Sequence, residues 1–226
     1  MVNDPINDAL EIDWLYQPSG RFAQEFYEFA SRLNSLQRHW EFTRRFIARY
    51  LTDLQAAQTD GSWAMEMDKD ERLLSDQQYF PEFFRGAVLA HGLALLENLL
   101  SDVANEVASE LGADPELEQR QLPYVNRYIL FLTRTCGLEL EVSKDLWQKL
   151  DAIRELRNRY IHKLDRDLPS QIKATLSRIV DDVQSNEKRV DDTYVDFSLA
   201  VVAELARKVE SAYWRWFEKR EGDSNA

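Results

Sequence analysis

Arg157, Asn158 and His162 lie within one short run, Leu156-Arg-Asn-Arg-Tyr-Ile-His-Lys-Leu164. In a helix, Asn158 and His162 are four apart, about 40° around the axis, and share a face. Arg157 and His162 are five apart, about 140°, so they flank that face without stacking. Arg154 lies four before Asn158 and extends the stripe. An imidazole with an ordinary pKa of about 6.5 can take or give a proton near neutrality, and a guanidinium can hold an oxyanion through its fork of donors. Together they suit phosphate chemistry.

The surroundings sharpen this expectation. From Arg154 to Arg166 five basic residues (Arg154, Arg157, Arg159, Lys163, Arg166) face two acidic ones (Glu155, Asp165), a net of +3 in a chain of −12. The apolar seam of the segment runs Leu146, Leu150, Ile153, then Tyr160 and Leu164, and Arg157 takes the slot between. A guanidinium there needs a carboxylate, a carbonyl or an anionic ligand. Glu97, alone among leucines in Leu93-Ala-Leu-Leu-Glu-Asn-Leu-Leu100, is the natural counter-ion. The bland alternative is a polar network that ties the two helices together.

Other chemistries find less support. Cys136 is the only cysteine, which excludes an intrachain disulfide and paired-cysteine zinc sites. No zinc-spaced histidine–carboxylate motif, phosphate-binding loop or dinucleotide fingerprint occurs, so neither metal nor cofactor is expected. Asp68 and Asp70 lack the rest of a calcium loop and read as a solvated acidic face. His39 is expected to be exposed and His91 to be a satisfied core residue. The run Tyr213-Trp-Arg-Trp-Phe217 could stack bases, but packing on the first long helix explains it more simply.

The elements that must position these residues are helical. Seven Gly and six Pro in 226 residues leave long stretches with a period of three and four. The sequence predicts a long helix from Ser19, a candidate N-cap, to Gln55, with a seam of Phe22, Phe26, Phe29, Leu33, Leu36, Trp40, Ile47, Tyr50 and Leu54. An acidic loop over 59–80 follows. A buried helix begins at Pro81 and runs to Leu111, closed by Gly112. Helices are also expected over 121–136, 143–164 with Ser143 as N-cap, 169–184 and 197–218, with 189–196 extended and 221–226 frayed. The last helix, with Val202, Leu205, Val209, Ala212 and Trp216 in register, is the expected partner of the first. The division is residues 1–80 as extension, 81–220 as bundle and 221–226 as tail.

Twenty-eight basic against 40 acidic residues argue against a broad polyanion-binding surface but leave room for a small basic site. The first thirty residues lack a secretory signal and no run approaches 18 apolar residues, so a cytoplasmic, non-membrane protein is expected.

The segment Arg157-Asn-Arg-Tyr-Ile-His162 resembles the R-N-x-x-x-H motif of HEPN domains. The context is similar: a buried helix bearing Glu97, then Phe131-Leu-Thr-Arg-Thr-Cys-Gly137 leading into the motif helix with Trp147. The resemblance covers roughly 83–216. It implies an all-α, up-and-down bundle that dimerises with motif helices face to face. It also implies a metal-independent endoribonuclease of the toxin–antitoxin, abortive-infection or CRISPR-associated kind. His162 would move protons as an RNA 2′-OH attacks the adjacent phosphate, Arg157 would stabilise the transition state, and Asn158 would orient the cleft. Glu97 would support them, with Arg154, Arg159, Lys163 and Arg166 on the RNA. Some members extend the motif to His-x-Tyr, a target of adenylylation by a partner enzyme. Here Leu164 holds that position, so this control is not implied. Other HEPN domains are non-catalytic interaction or nucleotide-binding modules, and a regulatory protein partner is a further implication.

Overall fold

The computed structural model describes residues 13–21, 23–59, 67–113, 121–162, 170, 174 and 192–224, and within these the side chains of 54, 57–59, 67–80, 159–162 and 223–224 are not described. Five α-helices make the described part of the chain: α1 Gln24–Thr59, α2 Met67–Glu110, α3 Tyr124–Leu130, α4 Lys144–His162 and α5 Asp192–Ser224. A π-helical turn, Phe131–Thr135, continues α3. The protein is an all-α up-and-down bundle with its long first helix packed on the last.

Cross-helix contacts give the directions. Phe26 meets Tyr213 edge-on and Trp40 Nε1 donates to Asp196 Oδ1 at 2.8 Å, so α1 runs antiparallel to α5. Arg85 bonds Asp192 and Tyr213 OH donates to Glu106 Oε1, both at 2.8 Å, so α2 runs parallel to α5. Trp216 Nε1 donates to Cys136 O ahead of α4, and Lys149 in α4 reaches Glu204 at 3.9 Å, so α4 runs antiparallel to α5. One apolar core joins all five helices, with Trp40, Leu96, Leu100, Leu132, Leu146, Ile153 and Leu205 at its centre. Residues 1–80 therefore include a helix that shares this core through Phe26, Phe29, Leu33 and Trp40.

The stretch Pro81–Glu110 of α2 is long and apolar enough to cross a membrane. Half of its most apolar part is buried in the bundle, where Val88, Leu89, Leu93, Leu96, Leu100 and Val103 form core. Its outer stripe of His91, Ala94, Asn98, Asp102, Asn105 and Ser109 is exposed, so α2 is buried on its inner side and not on nearly every side as its apolar run suggests.

Several boundaries differ from the sequence expectation, each for a local reason. Ser19 does not cap the first helix, because its N–H is drawn to Glu210 Oε1 at 2.8 Å and the helix starts at Gln24. The expected acidic loop contributes its second half to α2, which begins at Met67 and passes through a buried Pro81. Proline forfeits one backbone bond there, but the good helix formers before it carry the helix on. The expected helix over 121–136 starts only after Pro123, whose backbone is extended, and widens into the π turn. Gly137, at φ 72°, ends it as expected. Ser143 caps α4, its Oγ accepting from Leu146 N at 3.2 Å. The segment 189–196 is not extended over its described part, since α5 starts at Asp192 with Asp196 anchored by Trp40 and Arg44. At the other end α5 runs through Ser224, past the expected start of fraying. The expected helix over 169–184 lies outside the described residues except for 170 and 174, both helical.

A segment ahead of α1 is strapped across the bundle. Tyr16, fully buried, donates its hydroxyl to Glu210 Oε2 at 2.7 Å. Its backbone pairs with the Asn34 amide in both directions, and Arg207 donates to Leu15 O at 2.7 Å. Burial and the neighbouring carboxylate push the Tyr16 hydroxyl far above its ordinary pKa, so it stays a donor.

Candidate functional site

α4 owes its orientation to an apolar face of Leu146, Leu150, Ala152, Ile153 and Leu156, all buried. This corrects the sequence register. Leu156, fully buried, takes the seam slot three beyond Ile153, so Arg157 stands one step around the helix at the edge of the core. Its side chain is 26% exposed, half in the bundle and half out.

Across the boundary with α2, Arg157 reaches Glu97. Its terminal nitrogen lies 3.8 Å from Glu97 Oε1, close enough for ion pairing and too long for a hydrogen bond. The Glu97 side chain is 31% exposed. Loss of hydration raises its carboxyl above the ordinary glutamate range, and the Arg157 charge pulls it back only in part. The expected counter-ion is thus present, but the pair is loose. Arg157 Nε is buried with no hydrogen-bond partner among the described residues.

Arg154, one turn earlier, is also half-buried, and its Nε likewise has no hydrogen-bond partner among the described residues. Its terminal nitrogen sits 3.5 Å from both Asp151 and Glu155, so the basic stripe is partly neutralised at its start. Asp151 lies just before the stretch whose charges were counted, which is why the sequence reading missed it. Asn158 is half-buried on α4, next to Arg157 and one turn after Arg154. His162 is the last residue of α4, so the motif from Arg157 to His162 lies on one continuous helix. The side chains of Arg159 and His162, and all of Lys163 and Arg166, lie outside the described residues.

His91 is not a core residue: it is exposed, with Nδ1 2.9 Å from Ala87 O one turn back. His39 is exposed as expected. The aromatic run near the end of α5 is structural, with Tyr213 and Trp216 buried and bonded to Glu106 and to the Cys136 carbonyl. Among the described residues no group of three or more His, Cys, Asp or Glu is arranged to hold a metal ion.

Neither the known family models, nor the curated proteins, nor the solved structures contain a match to this chain.

Proposed function

We propose that the protein is a HEPN-like, metal-independent endoribonuclease acting in the cytoplasm, of the stress, toxin–antitoxin or phage-defence kind. The observation that supports it best is the state of Arg157: half-buried on the motif helix, with a loose ion pair and an unengaged Nε. An arginine serving only to lock two helices would make short, paired hydrogen bonds to its carboxylate. An arginine kept for an anion needs its donors free and its position fixed.

In this reading His162 takes the proton of an RNA 2′-OH, the 2′-oxygen attacks the adjacent phosphorus, and the bond to the 5′-oxygen breaks. Arg157 stabilises the charge that builds on the phosphoryl oxygens, and Asn158 orients the cleft. The leaving 5′-oxygen requires a proton donor, which a second copy supplies through its own motif helix in a homodimer. The products are a 2′,3′-cyclic phosphate and a 5′-OH. Glu97 holds Arg157 at the cleft edge.

The rival is a non-catalytic helical interaction or nucleotide-binding module, favoured by the very existence of the Arg157–Glu97 pair. Arg157→Ala and His162→Ala separate the two. The nuclease reading expects folded proteins without RNA cleavage and without toxicity on expression; a structural role expects unfolding or loss of stability.

A further inference from the structure

We propose that the outer face of α1 is a binding surface for single-stranded nucleic acid, separate from the Arg157 motif. α1 buries Phe29, Leu33, Trp40 and Ile47 on one side. At 100° per residue, Arg38, Phe42, Arg45, Phe46 and Arg49 gather within an arc of roughly 100° on the far side. These aromatics are not core residues at the margin. Phe42 is 41% and Phe46 54% exposed. Neither ring belongs to the apolar core of the described residues.

Charge says what the face is for. Residues 38–50 carry Arg38, Arg44, Arg45 and Arg49 against Glu41 alone, a net of +3 that falls to +2 on the outer face because Arg44 engages Asp196. Arg44 turns to the bundle, bonding Glu41 and Asp196, and so leaves the face. Among the described residues Arg49 meets Asp53 alone, at 3.9 Å, with both side chains more than 70% exposed, a pair that water screens. Arg38 touches Ser35 Oγ at 3.4 Å. Arg45 lies 3.9 Å from Glu41. The order Arg-x-x-x-Phe-x-x-Arg-Phe-x-x-Arg runs for about 16 Å along the helix. It alternates planar rings with phosphate-binding forks. Phe46 already stacks on Tyr50, interplanar angle 7°, so its ring is held in one orientation. Rings interleaved with arginines match a strand whose bases are unpaired and can stack while its phosphates are bound. Duplex nucleic acid hides the faces of its bases and gains nothing from the rings.

The inference does not depend on cleavage, and its test keeps the two apart. Binding of a fluorescein-labelled oligouridylate is followed by anisotropy with the full chain carrying His162→Ala, so that the probe survives. Phe42→Ala and Phe46→Ala should each weaken binding about ten-fold, because a base–ring stack is lost. Arg38→Gln and Arg49→Gln should each flatten the dependence of log affinity on log salt by about 0.7. A duplex of the same length should bind more weakly and ignore the phenylalanine changes. Circular dichroism and thermal melts should be unchanged, since none of these side chains is in the core. The proposal is overturned if the oligouridylate does not bind, or if it binds equally to the Phe42→Ala, Phe46→Ala double variant. It is also overturned if that variant only converts a dimer to a monomer, which would make the face a contact between copies. Cleavage by the wild-type chain with binding indifferent to α1 sinks this inference alone. Binding that needs α1, without any cleavage, sinks the nuclease reading alone.

Discussion

The Arg157 guanidinium stands 3.8 Å from the Glu97 carboxylate across the α4–α2 boundary, with the two side chains 26% and 31% exposed. At that distance and exposure the attraction is largely offset by lost hydration, as the raised Glu97 carboxyl shows. The pair positions more than it stabilises. Arg157→Ala should therefore cost about 1 kcal/mol or less in urea unfolding, in line with other half-exposed pairs. A loss of about 3–5 kcal/mol would instead mark Arg157 as a buried structural charge.

A second carboxylate should respond to pH. Glu106 accepts the Tyr213 hydroxyl at 2.8 Å, and its other oxygen is buried without a hydrogen-bond partner among the described residues. Burial first, then the neighbouring Glu25, raise its carboxyl above the ordinary range, against the bond from Tyr213. A raised carboxyl contributes stability below the ordinary glutamate pKa of about 4.3, and that contribution is lost as pH rises through the raised value. Glu106→Gln keeps an acceptor for Tyr213 and removes the charge. It should equal the wild type at low pH and exceed it at neutral pH by on the order of 1 kcal/mol, about 2–4 °C in Tm. Thermal melts across that pH range check the crossover. A variant less stable than wild type at neutral pH would contradict it.

The strap ahead of α1 gives another test. Tyr16→Phe removes the donor that meets the buried Glu210 carboxylate, leaving Ser19 N–H on its other oxygen. The expected cost is about 1–3 kcal/mol. Amide hydrogen exchange should rise in residues 13–21 before it rises in the core helices. Uniform loss of protection would show that the strap is part of the global unit.

Close packing of α2 on α5 is tested at Gly92. A β-carbon there would come 3.2 Å from Leu199 Cδ2, the end of a flexible side chain. Gly92→Ala gains about 1 kcal/mol of helix propensity and loses a similar amount to the contact, so its net effect should be small. Gly92→Val, with two more carbons at the same place, should destabilise by about 1–3 kcal/mol. Denaturant midpoints of the two variants decide this.

The all-helical class and the pairing of the first and last long helices were legible because both rest on periodicity: Val202, Leu205, Val209, Ala212 and Trp216 are all buried as their spacing implies. The pairing of Glu97 with Arg157 was legible because an isolated charge in an apolar run needs a partner. The register of α4 was misread because Leu156 and Arg157 are adjacent, and a seam stepping by three or four accepts either. Tyr16 and Glu210 were not legible at all. Nothing local in either segment signals a contact across so long a stretch of chain. The outer face of α1 was visible as residues but not as a surface, because Phe42 and Phe46 become exceptional only once the core side of α1 is known.

The central claim is most directly tested by cleavage of a mixed RNA pool by the wild-type chain and by His162→Ala, both with EDTA present. The proposed nuclease cuts only as wild type and leaves 2′,3′-cyclic phosphate and 5′-OH ends. A folded wild-type protein that leaves the pool intact, or cleavage that persists undiminished in His162→Ala, would contradict it.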